Sequence, residues 1–144
     1  MTDEKDRALC EKYPKIFRDR HGSMQETCMC WGFSHGDGWF EILDAACANI
    51  QSHIDWKRRE HPSLSDEEFD AEHQAVAAQV KEKFGGLRFY VDNCDDYTRG
   101  VIAMAESMSY RICEDCGNLG KKRSGGWVRT LCDSCHSESR KPNG

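Results

Sequence analysis

Two Cys-x-x-Cys pairs near the C-terminus constrain this chain more than any other feature. Fifteen residues separate the first pair, Cys113 and Cys116, from the second pair, Cys132 and Cys135. Each pair can present two thiolates to one tetrahedral ion at about 2.3 Å, and this spacing is typical of a zinc ribbon. Four sulfur ligands leave no open coordination position. The sequence therefore predicts zinc as a cofactor, held as a structural ion by these four cysteines.

The residues between the pairs fit a short hairpin. Glycines, which adopt positive φ without steric cost, follow the first pair and lie midway to the second. They are Gly117, Gly120, Gly125 and Gly126. The segment 127–131 then alternates like a strand and leads into Cys132. His136 directly follows Cys135 and is an alternative fourth ligand that would also close the site, so the identity of this ligand stays open.

Length and composition favour one body with a small C-terminal appendage. A chain of 144 residues can bury one modest core. We predict an α/β body over residues 1–110 and a zinc ribbon over residues 111–144. The N-terminus lacks an apolar signal segment and the cysteines follow a metal-type pattern, so we predict a cytoplasmic protein. No apolar run approaches about twenty residues, and we expect no membrane partner.

The formal net charge of −5 hides an asymmetry along the chain. Residues 111–144 carry seven Lys or Arg and four Asp or Glu, whereas residues 1–110 carry 13 and 21, a net charge of −8. A basic end can contact a polyanion, and an acidic body repels one.

Helical periodicity is clearest after the loop 28–39. Leu43, Cys47, Ile50 and Ile54 recur at the spacing of one helical face. We expect Asp37 to cap the start of this helix and the pair His61-Pro62 to follow its end. A capping box at Ser65 begins a second helix. A third helix is expected over residues 97–111, with four side chains directed inward: Val101, Met104, Ala105 and Met108.

A β-hairpin is predicted from about Val76 to Val91. The segment 87–91 is rich in β-forming residues, and Phe84-Gly85-Gly86 fits a tight turn before it. Together, these elements predict an α+β fold in which helices pack around the hairpin and a C-terminal zinc ribbon closes the structure.

Three motifs in combination resemble a family of small uncharacterised proteins from bacteria and their phages. The motifs are Gly36-Asp-Gly-Trp-Phe40, the segment 81–90 (KEKFGGLRFY) and the cysteine ribbon. The resemblance covers most of the chain from about Cys28 onward. In that family the last metal position is often histidine, whereas this chain has Cys135 there. Because the family has no established activity, the resemblance implies the ribbon and not a function.

The approach to the second cysteine pair, Gly126-Trp-Val-Arg-Thr-Leu-Cys132, looks like that of zinc-stapled phage nucleases of the His-Asn-His superfamily. Those enzymes place an Asp-His pair between their knuckles to hold magnesium and activate water. Residues 118–127 of this chain contain no His, Asp or Glu. We therefore identify no catalytic residue, and a degenerate or active nuclease is only a second alternative.

Cations near an aromatic residue on the ribbon point to nucleic acid as a partner. The candidate contacts are Lys121, Lys122, Arg123, Trp127 and Arg129. The alternative is a phage-type inhibitor or modulator that binds a protein of a host machine, in which the acidic body engages a basic partner. The sequence leaves the choice between nucleic acid and protein open.

Two other sets of residues have less specific interpretations beside the functional ones. Cys28, Cys30, His35 and Cys47 are candidates for a second metal site, but Cys-x-Cys is unusual ligand spacing and Cys47 lies on an apolar helix face. Lys81, Lys83 and Arg88 flank the predicted hairpin turn. No phosphate-loop fingerprint accompanies them, so we interpret them as a solvated hairpin face.

Overall fold

The computed structural model describes residues 1–142 and has the predicted α+β fold. Its helices are α1 (Asp3–Lys12), α2 (Phe40–Arg59), α3 (Asp66–His73), α4 (Asp96–Ser109) and α5 (Asp133–Ser139). Its strands are β1 (Phe33–Ser34), β2 (Val76–Lys83), β3 (Gly86–Asp92), β4 (Lys121–Arg123) and β5 (Arg129–Leu131). Short 3-10 helices cover Cys28–Trp31 and Asp37–Trp39. Within residues 1–142, no helix combines the length and the apolar character needed to cross a membrane.

The predicted β-hairpin is confirmed and forms the centre of a three-stranded sheet. Strands β2 and β3 pair antiparallel, with Val80 opposite Phe89, and β1 adds a parallel edge on the other side of β2. The turn lies at Phe84 and Gly85, whose φ values are 52° and 82°. Two consecutive positive φ values are the backbone of a type I′ turn, whose twist matches that of the strands.

The core is built on the apolar face of α2, as its periodicity predicts. The four side chains at helical spacing, Leu43, Cys47, Ile50 and Ile54, are all buried. The N-terminal segment packs onto the same core through Leu9, Ile16 and Phe17. Ser65 caps α3 as predicted, because its side chain accepts a hydrogen bond from the backbone N–H of Glu68.

The inward face predicted for α4 is wrong for two of its four residues. The side chains of Met104 and Met108 are 69% and 39% exposed. The reason lies in β3, an edge strand whose outer N–H groups need acceptors. Ser109 Oγ accepts from Leu87 N over 2.8 Å, and Glu106 Oε1 accepts from Phe89 N over 3.1 Å. These bonds fix a rotation of α4 in which Ile102, Ala105 and Ser109 are buried and the two methionines stay outside.

The expectation that Asp37 caps α2 is also wrong. Asp37 begins a 3-10 turn, and its Oδ1 accepts a hydrogen bond from the backbone N–H of Thr2 over 2.7 Å. Helix α2 begins afterwards at Phe40 without a side-chain cap. The carboxylate therefore holds the N-terminal segment and not the helix.

The ribbon packs directly against the loop that contains Gly36 and Gly38. The backbone N–H of Gly38 donates to the carbonyl of Glu114 over 2.7 Å. A Cβ atom at either glycine would collide with the backbone of the first cysteine knuckle. On the other side, Thr130 Oγ1 donates to the carbonyl of Gly85 over 2.6 Å, which ties the ribbon to the hairpin turn. The boundary between residues 110 and 111 stays a prediction, and these bonds cross it.

Candidate metal centre and adjoining surface

The four predicted cysteine ligands converge on one point. The Sγ atoms of Cys113, Cys116, Cys132 and Cys135 all lie within 4.8 Å of one another. The Sγ atoms of Cys116 and Cys132 are 3.7 Å apart. Four sulfurs placed tetrahedrally at 2.3 Å from zinc would be separated by about 3.8 Å. The cluster can therefore hold a metal ion, and its spacing is compatible with zinc.

Local backbone geometry produces both cysteine knuckles. After the first pair, Gly117 has a φ of 81° and its N–H donates to the carbonyl of Cys113 over 3.0 Å. At the second pair, Cys132 precedes α5 and its Sγ accepts from the N–H of Cys135 over 3.4 Å. The predicted positive φ is confirmed at Gly117 but is wrong at Gly120. Gly120 is instead limited by space, because an added Cβ would lie 3.0 Å from the backbone nitrogen of Cys113.

Cys113 is the most enclosed of the four cysteines. Burial raises the pKa of its thiol, but hydrogen bonds from the backbone of Cys132, Cys116 and Asp115 outweigh burial and lower the pKa to about 7. Donors directed at sulfur favour the thiolate, which is the form that binds a metal.

The cluster contains Cys135 and not His136, and it is the one group of at least three potential ligands within residues 1–142. The alternative site at Cys28, Cys30, His35 and Cys47 is not formed there. Cys28 is exposed, whereas Cys47 and His35 are buried in the core. His35 Nδ1 instead lies 2.7 Å from the carbonyl oxygen of Gly36, to which it donates.

The five side chains predicted to contact nucleic acid differ in the partners they have within the protein. Lys121 and Lys122 are exposed, and neither forms an ion pair within residues 1–142. Arg123 donates to Asp133 over 2.6 Å, and Arg129 is paired with Glu114 and Asp115. The two arginines thus hold the ribbon together, whereas neither lysine has a carboxylate partner among these residues.

Trp127 is 79% exposed and lies beside a second exposed aromatic residue that the sequence motifs did not indicate. Phe84, at the tip of the β-hairpin, is 66% exposed. Trp127, Phe84 and Lys83 line one cleft of about 360 Å³. In the sequence, the signal for an exposed ring was the position of Phe84 in the predicted hairpin turn. Its partner could not be identified, because the turn and the ribbon meet only in the folded chain.

Tyr110 joins the hairpin to the ribbon on this side of the molecule. Its hydroxyl accepts from Arg88 Nη2 over 3.0 Å, and Lys122 Nζ lies 5.6 Å from its ring centroid. Lys83 Nζ lies 5.7 Å from the ring centroid of Phe84. We name this surface the ribbon face and define it by Lys83, Phe84, Tyr110, Lys122 and Trp127.

A second cleft, of about 390 Å³, lies on the other side of Trp127. Its lining includes His136 and three arginines: Arg123, Arg129 and Arg140. Trp127 therefore lines both clefts, and in the second one Arg123 and Arg129 are already paired with carboxylates.

The fold and the cysteine cluster define an α+β protein with a C-terminal ribbon whose four cysteines could hold a metal ion. Comparison of the chain with protein-family models, with curated proteins and with solved structures finds no match.

Proposed function

We propose that this protein binds single-stranded nucleic acid over the ribbon face and that a structural zinc ion shapes that face. The observation that carries the proposal is the shared cleft of Trp127 and Phe84, two exposed aromatic rings that line it together with Lys83. Glu82 also lines this cleft, and its Oε1 accepts a hydrogen bond from the backbone N–H of Gly85. Unpaired bases stack on exposed rings, and neighbouring cations contact the phosphates that connect them.

Zinc enters this proposal through the four cysteines. Cys113, Cys116, Cys132 and Cys135 are the residues that would hold it, and the tetrathiolate set favours zinc among the divalent ions. The ion supplies a fixed crosslink between the two knuckles. The chain's own residues supply the binding chemistry, through rings that stack and lysines that neutralise phosphates.

The charge distribution limits contact to this end of the molecule. The net charge of −8 over residues 1–110 repels a polyanion from the body. Lys83 is in the body by sequence but lies at the hairpin tip, beside the ribbon. Lys121 and Lys122 add two more exposed cations. These cations therefore favour contact with nucleic acid at the ribbon end, where the exposed rings are.

Fluorescence anisotropy with a labelled single strand of about 12 nucleotides tests this function. Affinity should fall with salt, because each neutralised phosphate contributes about 0.7 to the slope of log affinity against log salt concentration for single strands. Changing Lys121→Gln and Lys122→Gln together should reduce that slope by about 1.4. The matched control is the pair Arg7→Gln and Arg59→Gln, which removes the same charge at two exposed residues outside the ribbon that form no ion pair within residues 1–142.

A second pair of variants tests whether bases stack on the two exposed rings. Trp127→Ala and Phe84→Ala should each weaken single-strand binding by about 1–3 kcal/mol and weaken duplex binding less. Trp31→Ala, at a tryptophan that is 69% exposed outside the ribbon face, is the control. Equal binding by wild type and the Trp127 and Phe84 variants, with zinc retained, would overturn the proposal. Cleavage of the strand in magnesium or manganese would favour the nuclease alternative instead.

A further inference from the structure

A shallow apolar groove runs between α2 and α4, away from the ribbon face. It has a volume of about 490 Å³ and is lined mainly by aliphatic and thioether groups. The principal lining side chains are Ile42, Val101, Met104, Met108 and Ile112. Within residues 1–142, Glu41 is the one charged residue that lines it.

The two helices that form the groove are antiparallel and fixed at both ends. At one end, the indole Nε1 of Trp39 donates to the carbonyl of Ile112 over 2.9 Å. At the other end, His53 Nε2 and Lys57 Nζ lie 2.8 and 3.2 Å from Asp95 Oδ2. A groove between two tied antiparallel helices is preformed, and a third helix can pack into it at an ordinary bundle angle.

Met104 and Met108 make this groove different from the rest of the protein surface. They are four residues apart on one face of α4, and both are exposed because Ser109 and Glu106 turn the opposite face to β3. Methionine side chains are flexible and polarizable, and they adapt to the apolar face of a bound helix. The stretch from Val101 to Met108 covers about 10 Å, which matches two helical turns of an occupant.

The charges of α2 and α4 determine which kind of helix the groove attracts. From Phe40 to Trp56, α2 carries Glu41, Asp44 and Asp55 and no Lys or Arg; its cations are confined to the last turn, beyond the groove. The one cation of α4, Arg99, is paired with Asp96. Asp44 is already paired with Lys12, so the attraction for a cationic occupant comes from Glu41, an exposed carboxylate of the groove lining on the α2 side. A second copy of this chain would instead bring its own net charge of −5.

We propose that this groove binds a positively charged amphipathic helix of a partner protein, with apolar residues at i, i+3 or i+4, and i+7 against Met104 and Met108 and a Lys or Arg facing Glu41. This site is independent of the ribbon face. The protein thus has two binding surfaces of opposite character, one for an anion and one for a cation.

A model peptide with the proposed pattern tests the inference. The probe is a labelled peptide of about 18 residues with leucine along one helical face and lysine elsewhere, and the control peptide has the same composition in scrambled order. Fluorescence anisotropy measures binding to the zinc-loaded protein, and circular dichroism measures the helix gained. We expect the amphipathic peptide to bind at least about tenfold more tightly than the scrambled one.

The groove variants are isosteric and uncharged. Met104→Gln and Met108→Gln together should weaken peptide binding about tenfold, because each amide must be desolvated in an apolar contact. Met24→Gln, at a methionine that is also 69% exposed but outside the groove, should leave binding unchanged. Glu41→Gln should weaken binding a few-fold and reduce its salt dependence, whereas Glu67→Gln on α3 should not.

Three results would overturn the proposal. The first is equal peptide affinity of the Met104/Met108 variant and the Met24 variant. The second is equal binding of the scrambled peptide. The third is a dimer, seen by sedimentation of the wild type, that the Met104/Met108 variant abolishes, because a second copy would then occupy the groove.

Discussion

The indole Nε1 of Trp39 donates a hydrogen bond of 2.9 Å to the carbonyl oxygen of Ile112, the residue immediately before Cys113, the first cysteine of the four-cysteine cluster. Trp39 is fully buried, so its ring is shielded from water. The bond connects the start of α2 to the beginning of the ribbon. It is thus one of the contacts through which the body fixes the position of the metal site.

Replacing Trp39 with phenylalanine tests this contact. The change keeps an aromatic ring in the core but leaves the Ile112 carbonyl without its donor, which should lower the free energy of unfolding by about 2 kcal/mol. Urea unfolding of the zinc-loaded protein measures the effect. Trp31→Phe is the matched control and should change stability little, because Trp31 is exposed. A Trp39→Phe variant as stable as wild type would show that this bond contributes nothing.

Metal binding is predicted to require Cys116. We expect the wild type to contain about one equivalent of zinc and Cys116→Ser to lose it, because three thiolates no longer close a tetrahedral site. A chelator should unfold at least the ribbon, since structural zinc sites contribute about 10 kcal/mol or more of apparent binding free energy. Cys28→Ser, at an exposed cysteine outside the cluster, should retain the metal. Full zinc content in Cys116→Ser would contradict the ligand set.

Local signals in the sequence account for the elements that were predicted correctly. The apolar stripe from Leu43 to Ile54, the capping box at Ser65 and the turn at Gly85 each depend on residues close together in the chain. The spacing of the two cysteine pairs is also visible in the sequence, and it predicts the cluster that the four cysteines form.

The errors have a common origin in contacts between distant segments. Helical spacing gives α4 two possible inward stripes, and the choice is made by the unpaired N–H groups of Leu87 and Phe89 on β3. Likewise, Arg123 and Arg129 are basic in the sequence, but carboxylates elsewhere in the ribbon neutralise them. Composition counts charges and does not reveal which ones are already paired.

Substitutions at three glycines, two in the hairpin and one in α4, are expected to change stability in three different ways. Gly85 has a φ of 82°, so Gly85→Val should cost about 1–2 kcal/mol through backbone strain. Gly86→Ala should also destabilise, but through collision of its Cβ with the Tyr110 ring. Gly100 lies within α4, where an added Cβ meets nothing within 4 Å, so Gly100→Ala should stabilise by about 0.5–1 kcal/mol. Thermal unfolding distinguishes these outcomes, and unchanged stability of Gly85→Val would contradict the turn.

The last prediction concerns the protonation of His35 and its effect on stability at low pH. Burial lowers the pKa of His35 to about 4, and the Met1 ammonium group acts in the same direction, whereas the bond to the Gly36 carbonyl and the Asp37 carboxylate oppose it. In the unfolded chain the histidine pKa is about 6.5. Between these values the unfolded state binds a proton that the folded state does not. The contribution of His35 to the free energy of unfolding is therefore fully present above about pH 6.5. It is lost as the pH drops toward 4, by about 3 kcal/mol in total.

His35→Phe should remove this contribution, because phenylalanine does not titrate and its ring can pack against Phe33 and Trp39 as the imidazole does. Urea unfolding of both zinc-saturated proteins should show the wild type losing about 2 kcal/mol more than the variant between pH 7 and pH 5. The cysteine ligands are the same in both proteins, so acid release of zinc cancels in the comparison. Parallel stability curves for the two proteins would mean that His35 takes up its proton in the folded state.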